Sequence, residues 1–389
     1  MSTATPAPGA AVAEPAPERP APEGAVDFDL HGIAGVRLLG AEPGDVAAVR
    51  RQLGPIERPL SREPDIEIRF VDRLKSSSPL RLLDLDDAGF TEDSFVVMRS
   101  RYQTRARAQI ALEQVGKRCG IVCESGLHAV PLLVPILNLT ALANGALPLH
   151  ASAFTYDGTG VLVTGWAKGG KTEALLAFMS HGAAYVGDEW VYLTGERMFG
   201  IPEPMRIWDW HLDDLPAYRA RIGWRNRSRL AAIRLAQGVE GVVPRRAAGN
   251  GGASVRGRVM PLVARQRFAR IHPEELFGRD SCALAGTPDR VFMLVSHESD
   301  EVSVEPIDAQ EIARRMVFSL QHERLDFLSH YLKFRFAFPN RPNALIEQVE
   351  ETEREALAHA LADKPAYAVY HPYPAPIPAL FERMAPLLA

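Results

Sequence analysis

The sequence predicts an α/β fold preceded by a smaller α+β region. Three observations carry the prediction. Beyond about residue 127, apolar runs of strand length alternate with a helix-like segment: LPLHASAFTY, GVLVTG, residues 171–181, then AAYVGDEW. A glycine-rich turn, Gly165-Trp166-Ala167-Lys168-Gly169-Gly170-Lys171-Thr172, stands between the strand GVLVTG and that helix. Before all this, residues 27–126 hold short alternating runs (GVRLLG, IEIRFV, FVVMRS, AQIALEQV, GIVCE) bounded by Gly, Pro, Asp or Ser, with one helix over Pro43–Leu53.

Strand–helix–strand order implies parallel strands joined by a right-handed crossover, with AAYVG expected beside VLVTG. Later elements are a strand at RVFMLVS, a helix over 308–330, a helical stretch over 341–361 and the proline-rich HPYPAPIPALF. At 389 residues there is room for two domains. The expected division is a disordered Ala/Pro-rich tail over 1–26, an α+β region over 27–126 and a P-loop domain over 127–389. No basic start or apolar run marks a signal peptide, so nothing in the tail directs export. The apolar stretch 127–147 carries His128, Asn138 and Asn144 with Pro131 and Pro135 inside, and reads as a buried helix over 133–146 rather than a membrane span.

A formal charge of −4 gives no global reason to expect nucleic acid as partner. Three cysteines, Cys119, Cys123 and Cys282, lack a CxxC spacing. That argues against a disulfide framework or a zinc site and fits packed thiols in a reducing cytoplasm.

The glycine-rich turn fits G-x-x-x-x-G-K-[ST]. Glycines let backbone N–H groups converge on phosphate oxygens, and a helix starting directly afterwards turns its free N–H groups and positive dipole end to the anion. Gly165, Lys168, Gly169, Gly170, Lys171 and Thr172 are the expected ATP-binding residues, with Lys171 reaching the β- and γ-phosphates and Thr172 offering a hydroxyl to Mg²⁺. If the next strand ends at the same sheet edge, Asp188 and Glu189 emerge beside the loop, where an acid can hold Mg²⁺ or accept a proton.

The run from 149 to 190 resembles the C-terminal kinase domain of HPr kinase/phosphorylase and its serine-kinase-like relatives. That family places a His at the strand before the P-loop strand, then the loop, then paired acids after the next strand. His150 lies 21 positions before Lys171, and Asp188 lies 17 after it. The resemblance implies a phosphoenolpyruvate-carboxykinase-like P-loop kinase domain that moves the γ-phosphate of ATP to a hydroxyl. Carried over by position, Lys171 and Thr172 grip phosphate and Mg²⁺, Asp188 is the base, Glu189 supports the metal or the base, and His150 lies near the transferring phosphate. Glu189 stands where the family usually has a second aspartate, and GIPEPMRIWDW replaces its Leu-Glu-Ile-Arg-Gly stretch.

The acceptor implied is serine in a peptide or protein. Two alternatives stay open: an ATP-binding accessory protein of a peptide-modification system, and a small-metabolite kinase. A homo-oligomer is possible; no membrane partner is expected. Trp208, Trp210 and His211 read as packing aromatics able to line a cleft. Arg219, Arg221, Arg225, Arg227 and Arg229 read as a solvated basic face, and Arg99, Arg101, Arg105 and Arg107 as a solvated edge. Arg206 can approach the γ-phosphate from the sheet edge, and the loop 249–252 can act as a lid.

Overall fold

The computed structural model describes residues 22–76, 78–99, 105–238 and 267–388. Most of the predicted tail, Arg101, and the loop 249–252 lie outside them, as do the side chains of residues 105 and 106. Val26, assigned to the tail by composition, opens the first strand. The first eight strands are Val26–Leu30 (β1), Ala34–Leu39 (β2), Ile66–Val71 (β3), Arg81–Asp84 (β4), Ala88–Phe90 (β5), Phe95–Arg99 (β6), Arg105–Ile110 (β7) and Cys119–Glu124 (β8). They form one mixed sheet in the order β1-β2-β3-β8-β7-β6-β5-β4. Of the predicted strand AQIALEQV only the first half is extended; Leu112–Gln114 is a 3₁₀ turn.

Helix α1, Pro43–Leu53, starts where the sequence places it. Pro43 suits the first turn, and Glu42 and Asp45 form a reciprocal capping box. The other Asp45 oxygen accepts the Gly126 N–H at 2.8 Å, which ties the helix to the chain leaving β8. Helix α2, Leu133–Ala143, is buried along most of its length and ends ahead of Gly145, whose φ is 82°. No helix among the described residues is long and apolar enough to cross a membrane.

The second half begins with Leu147–His150 (β9), Ser152–Tyr156 (β10), Thr159–Gly165 (β11), the helix Lys171–Met179 (α3), Ala184–Gly187 (β12), Trp190–Thr194 (β13), Arg197–Gly200 (β14) and Met205–Trp208 (β15). It continues with Phe268–Ile271 (β16), Ala285–Gly286 (β17), Arg290–Ser296 (β18), Ser303–Pro306 (β19), a long helix Ala309–Ala337, and Ala366–His371 (β20). The predicted helix over 308–330 thus runs two turns further. The stretch 341–361 divides into Ala344–Glu347 and Val349–Ala360.

A six-stranded mixed sheet runs β12-β10-β11-β18-β20-β19, with β11, β18 and β20 parallel. An antiparallel sheet runs β17-β14-β13-β9, and β15 pairs with β16. The chain is therefore a mixed α/β protein. Alternate residues of β11 enter two different cores, Leu162 one and Val161 and Val163 the other. β18 divides likewise, Val291 and Met293 from Phe292 and Leu294. A central strand covered on both faces needs an unbroken apolar run, which both sequences have. The first core also joins the eight-stranded sheet to α2, β9, β13 and the long helix.

Two expectations about the strands need correction. LPLHASAFTY is two strands in two sheets, β9 and β10, separated at Ala151. And β12 does not lie beside β11: it pairs antiparallel with β10, which pairs antiparallel with β11. Because both flank β10 in the antiparallel sense, β11 and β12 still run the same way and still end at one edge. The apolar run did not disclose the break, because β9 and β10 are each covered and so equally apolar.

The long helix is held to the first sheet partly by charge. Asp87, in the turn before β5, is ion-paired with Lys333, and its Oδ1 lies 3.3 Å from His330 Nε2. Burial pushes the Asp87 carboxyl upward, but the Lys333 bond and the His330 charge outweigh it and hold it below its ordinary value. A depressed carboxylate contributes stability above its unfolded pKa and loses it as pH falls through the folded one. Asp87→Asn is expected to cost about 1–2 kcal/mol at neutral pH for this half-screened group. The difference from wild type, read by denaturant melts, should shrink once the pH falls below about 4.

Candidate functional site

The site forms at a corner. The neighbouring segments His150-Ala151-Ser152 and Gly187-Asp188-Glu189-Trp190 both cross between the four-stranded and the six-stranded sheet, in opposite chain directions. Trp190 stays opposite His150, and Ala153 opposite Gly187. The Ala151 N–H donates to the Glu189 carbonyl at 3.2 Å, bridging the break. Glu189 adopts φ 69°, a left-handed conformation unusual for glutamate. Such backbone at the end of a strand turns both acids out of the ladder and toward the glycine-rich turn.

That turn follows β11 directly. Gly165, at φ 142°, has no room for a side chain, since a Cβ would sit 2.7 Å from the Leu294 carbonyl oxygen on β18. Gly170, at φ 93°, would place one 2.9 Å from His371 Nε2. The glycines are thus required by the packing of the turn itself as well as by any approach to phosphate. Beneath the turn, the fully buried His371 has Nε2 3.0 Å from the Gly169 carbonyl oxygen and Nδ1 2.8 Å from that of Pro372. Lys168 takes φ 62° at the tip. Lys171 opens α3, and its ammonium folds back on the turn, donating to the carbonyls of Trp166 at 2.9 Å and Gly165 at 3.3 Å. Burial lowers its pKa, against the pull of Glu189, Asp188 and Glu323.

Thr172 and Asp188 meet here. Thr172 Oγ1 lies 3.0 and 3.2 Å from the two Asp188 oxygens and donates to that carboxylate; Ser152 Oγ donates to Oδ1 as well. Asp188 is 3% exposed. Burial and the neighbouring Glu189 charge push its carboxyl up to about 6, against the two hydroxyl donors. Glu189 goes the other way. Burial would raise it, but His150, Arg206 and Lys171 together hold it well below the usual carboxylate range. His150 stands between two carboxylates, Nε2 3.2 Å from Glu189 and Nδ1 2.9 Å from Glu323 of the long helix. Burial alone would lower the His150 pKa, and these two acids raise it. One acid near pH 6 beside one held ionised is the division of labour general acid–base chemistry uses.

These groups line a cleft of about 460 Å³. Its far wall carries Trp208, Trp210 and, on β15 and β16, Arg206 and Arg270, which are cross-strand partners. Neither arginine is ion-paired among the described residues; Arg206 acts on Glu189 through space, and both act on Glu203. Glu203 lies just below, its carboxyl raised well above normal by burial and by Glu189 and Asp188, with Oε1 buried and without a hydrogen-bond partner. His211 packs under the cleft, bonded to Glu173 at 3.1 Å and accepting the Trp208 N–H at 3.2 Å.

The other predicted features fall away from the cleft or at its rim. Arg219 pairs with Asp213, and Arg221 and Arg229 donate to backbone carbonyls, so that stretch is tied to its own surroundings. Arg99 is exposed at the end of β6, as expected of a solvated edge, and also borders the cleft. Burial pushes the Cys119 and Cys123 thiols up to about 12, which makes them inert packing groups.

The turn, Thr172 and the acids fit a nucleotide triphosphate with Mg²⁺. No cluster of three or more His, Cys, Asp or Glu able to hold a metal occurs among the described residues. Mg²⁺ asks for less: it keeps waters and takes one or two protein oxygens beside phosphate oxygens. The Thr172 hydroxyl and the Glu189 carboxylate, both lining the cleft, would supply that, and Asp188, hydrogen-bonded to Thr172 at 3.0 Å, would be left to take a proton.

Sequence reasoning missed Glu323, Ser152, Glu203, Arg270 and His371. Glu323 and His371 lie 173 and 221 positions after His150, in segments without a motif. Ser152 was within reach, two residues after His150, had the strand break been visible. The chain matches no protein-family model and no curated protein. What defines its class is therefore a mixed α/β architecture with the G-x-x-x-x-G-K-[ST] turn and a pair of acids meeting at one sheet corner.

Proposed function

We propose that this chain is an ATP-dependent kinase with a P-loop domain of the HPr kinase/phosphoenolpyruvate carboxykinase type, acting on a hydroxyl, foremost a serine in a peptide or protein. The observation that carries the reading is the convergence of Lys171, Thr172 and Asp188. A lysine for the terminal phosphates, a hydroxyl for the metal and an acid with a raised pKa lie at one turn. In the reaction the acceptor oxygen attacks the γ-phosphorus, its proton passes to the Asp188 carboxylate, and the bond to the β-phosphate oxygen breaks to leave ADP. Bound Mg²⁺ supplies neutralisation of the phosphate charge. Glu189, kept ionised by His150, supports the metal side, while Lys171 turns from its two carbonyls to the phosphates. The unpaired Arg206 and Arg270 favour an acceptor that carries negative charge.

An accessory role without phosphotransfer is the reading this must beat, because nucleotide holding needs Lys171 and Thr172 but no base. The deciding assay follows labelled γ-phosphate from ATP into candidate peptides and host extract, with mapping of the modified residue. Label on a serine supports the proposal. Label on a small molecule moves it to metabolite kinases, and ATP binding without any transfer sinks it.

Lys171→Ala tests the nucleotide site separately. Losing a charge-assisted contact of this kind is expected to weaken Mg·ATP binding by roughly tenfold to a hundredfold. Calorimetric titration of the folded variant at wild-type affinity would show that the phosphates bind elsewhere.

A further inference from the structure

The long helix Ala309–Ala337 leaves one face bare. Phe318, Leu325, Leu332 and Phe336 are 58, 57, 68 and 76% exposed, although their neighbours Phe327, Tyr331 and Phe334 are buried. With His322 and Ser329, also exposed, they form a stripe at spacings of 4, 3, 4, 3 and 4 residues. That is the seam spacing of a helix that packs lengthwise on another helix. Four large apolar side chains on one straight seam differ from scattered surface hydrophobes, which need no explanation.

We propose that this seam docks a second copy of the same chain, the two long helices lying antiparallel about a two-fold axis near residue 327. The positions mirror about that point: Phe318 faces Phe336 of the second copy, His322 faces Leu332, and Leu325 faces Ser329. A two-fold interface requires a patch complementary to itself, and a seam with the same spacing in both directions meets that requirement. The area also suffices. The four side chains and Trp166, itself 52% exposed beside the seam, offer on the order of 500 Å² per copy. Two copies together reach about 1,000 Å², the lower end for a specific interface. At about 43 Å the helix is long enough for all six positions to engage.

The seam also touches the glycine-rich turn. Trp166, second residue of that turn, packs against His322 with ring centroids 4.9 Å apart and the rings tilted by 31°, and its carbonyl holds the Lys171 ammonium. Pairing would cover Trp166 and clamp the start of the turn, so assembly and the state of the turn are linked. The inference rests on the helix surface and does not depend on the kinase reading.

Light scattering on the full chain tests it. The expected mass is twice 42.7 kDa at micromolar concentration. The double variant Leu325→Lys, Leu332→Lys should fall to the single-chain mass while still unfolding in one cooperative transition, at a temperature lowered only by loss of the partner, since both residues are exposed in the single chain. Register is read by disulfide capture: a mixture of Leu325→Cys and Ser329→Cys chains should cross-link between unlike chains far more than either alone. Wild-type protein at the single-chain mass, as expected if the seam takes some other occupant, would overturn the proposal. So would a dimer that survives the lysine pair, or capture favouring like chains.

Discussion

Asp188→Asn is expected to lower phosphotransfer by about a hundredfold or more while Mg·ATP binding stays within about tenfold. The amide keeps the size of the carboxyl and can still meet the Ser152 and Thr172 hydroxyls, so the corner keeps its shape. What disappears is a group able to take the acceptor proton. The wild-type rate should rise with pH through about 6, because only the ionised form of Asp188 is a base and burial beside Glu189 places its titration there. The variant should lose that limb.

Stability sharpens the test. A buried acid with a raised pKa holds its proton more tightly folded than unfolded, so wild-type stability declines as pH climbs from the ordinary carboxylate range through about 6. Asparagine carries no such penalty, and the variant should melt no lower than wild type at pH 8. A variant that melts much lower would point to a structural role instead. Full transfer by a stable variant would remove Asp188 as the base and make Glu189 the next candidate.

Glu353→Ala is expected to cost about 3–5 kcal/mol in denaturant melts, the usual scale for breaking a buried ion pair. Glu353 is 1% exposed, on the helix Val349–Ala360, and takes both terminal nitrogens of Arg324, which is 8% exposed on the long helix. Arg324 Nε is already buried without a partner. Removing the carboxylate leaves a guanidinium in the cleft wall with nothing to neutralise it. Replacing the pair together, by Arg324→Met with Glu353→Leu, should restore most of the loss, because two apolar groups of like size leave no stranded charge. If the double variant is as unstable as the single one, packing rather than charge holds the two helices. Arg324 adjoins Glu323, so the single variant should also disturb the His150 contact.

Much of the fold was legible because its signals are local. Helix α1 opens at Pro43, α2 closes ahead of Gly145, and β11 is an apolar run before a glycine turn; each signal depends on residues within a few positions of one another. The site's centre was legible for the same reason, since Lys171, Thr172, Asp188 and Glu189 lie within nineteen consecutive residues. Strand partnership was not. Apolar patterning reports that a strand is covered but not by which neighbour, so β12 could be placed at the correct edge while its true partner, β10, went unseen. The break at Ala151 was hidden too, since both halves of that run are buried. Glu323 reaches His150 only because the long helix packs across the corner, and His371 reaches the turn only because β20 lies beside β18. Those contacts close loops of 173 and about 200 residues, over which sequence carries no distance information. The pKa of each acid is likewise a property of the assembled corner. Asp188 and Glu189 are neighbours of nearly the same chemistry, and burial against a histidine's charge drives them in opposite directions.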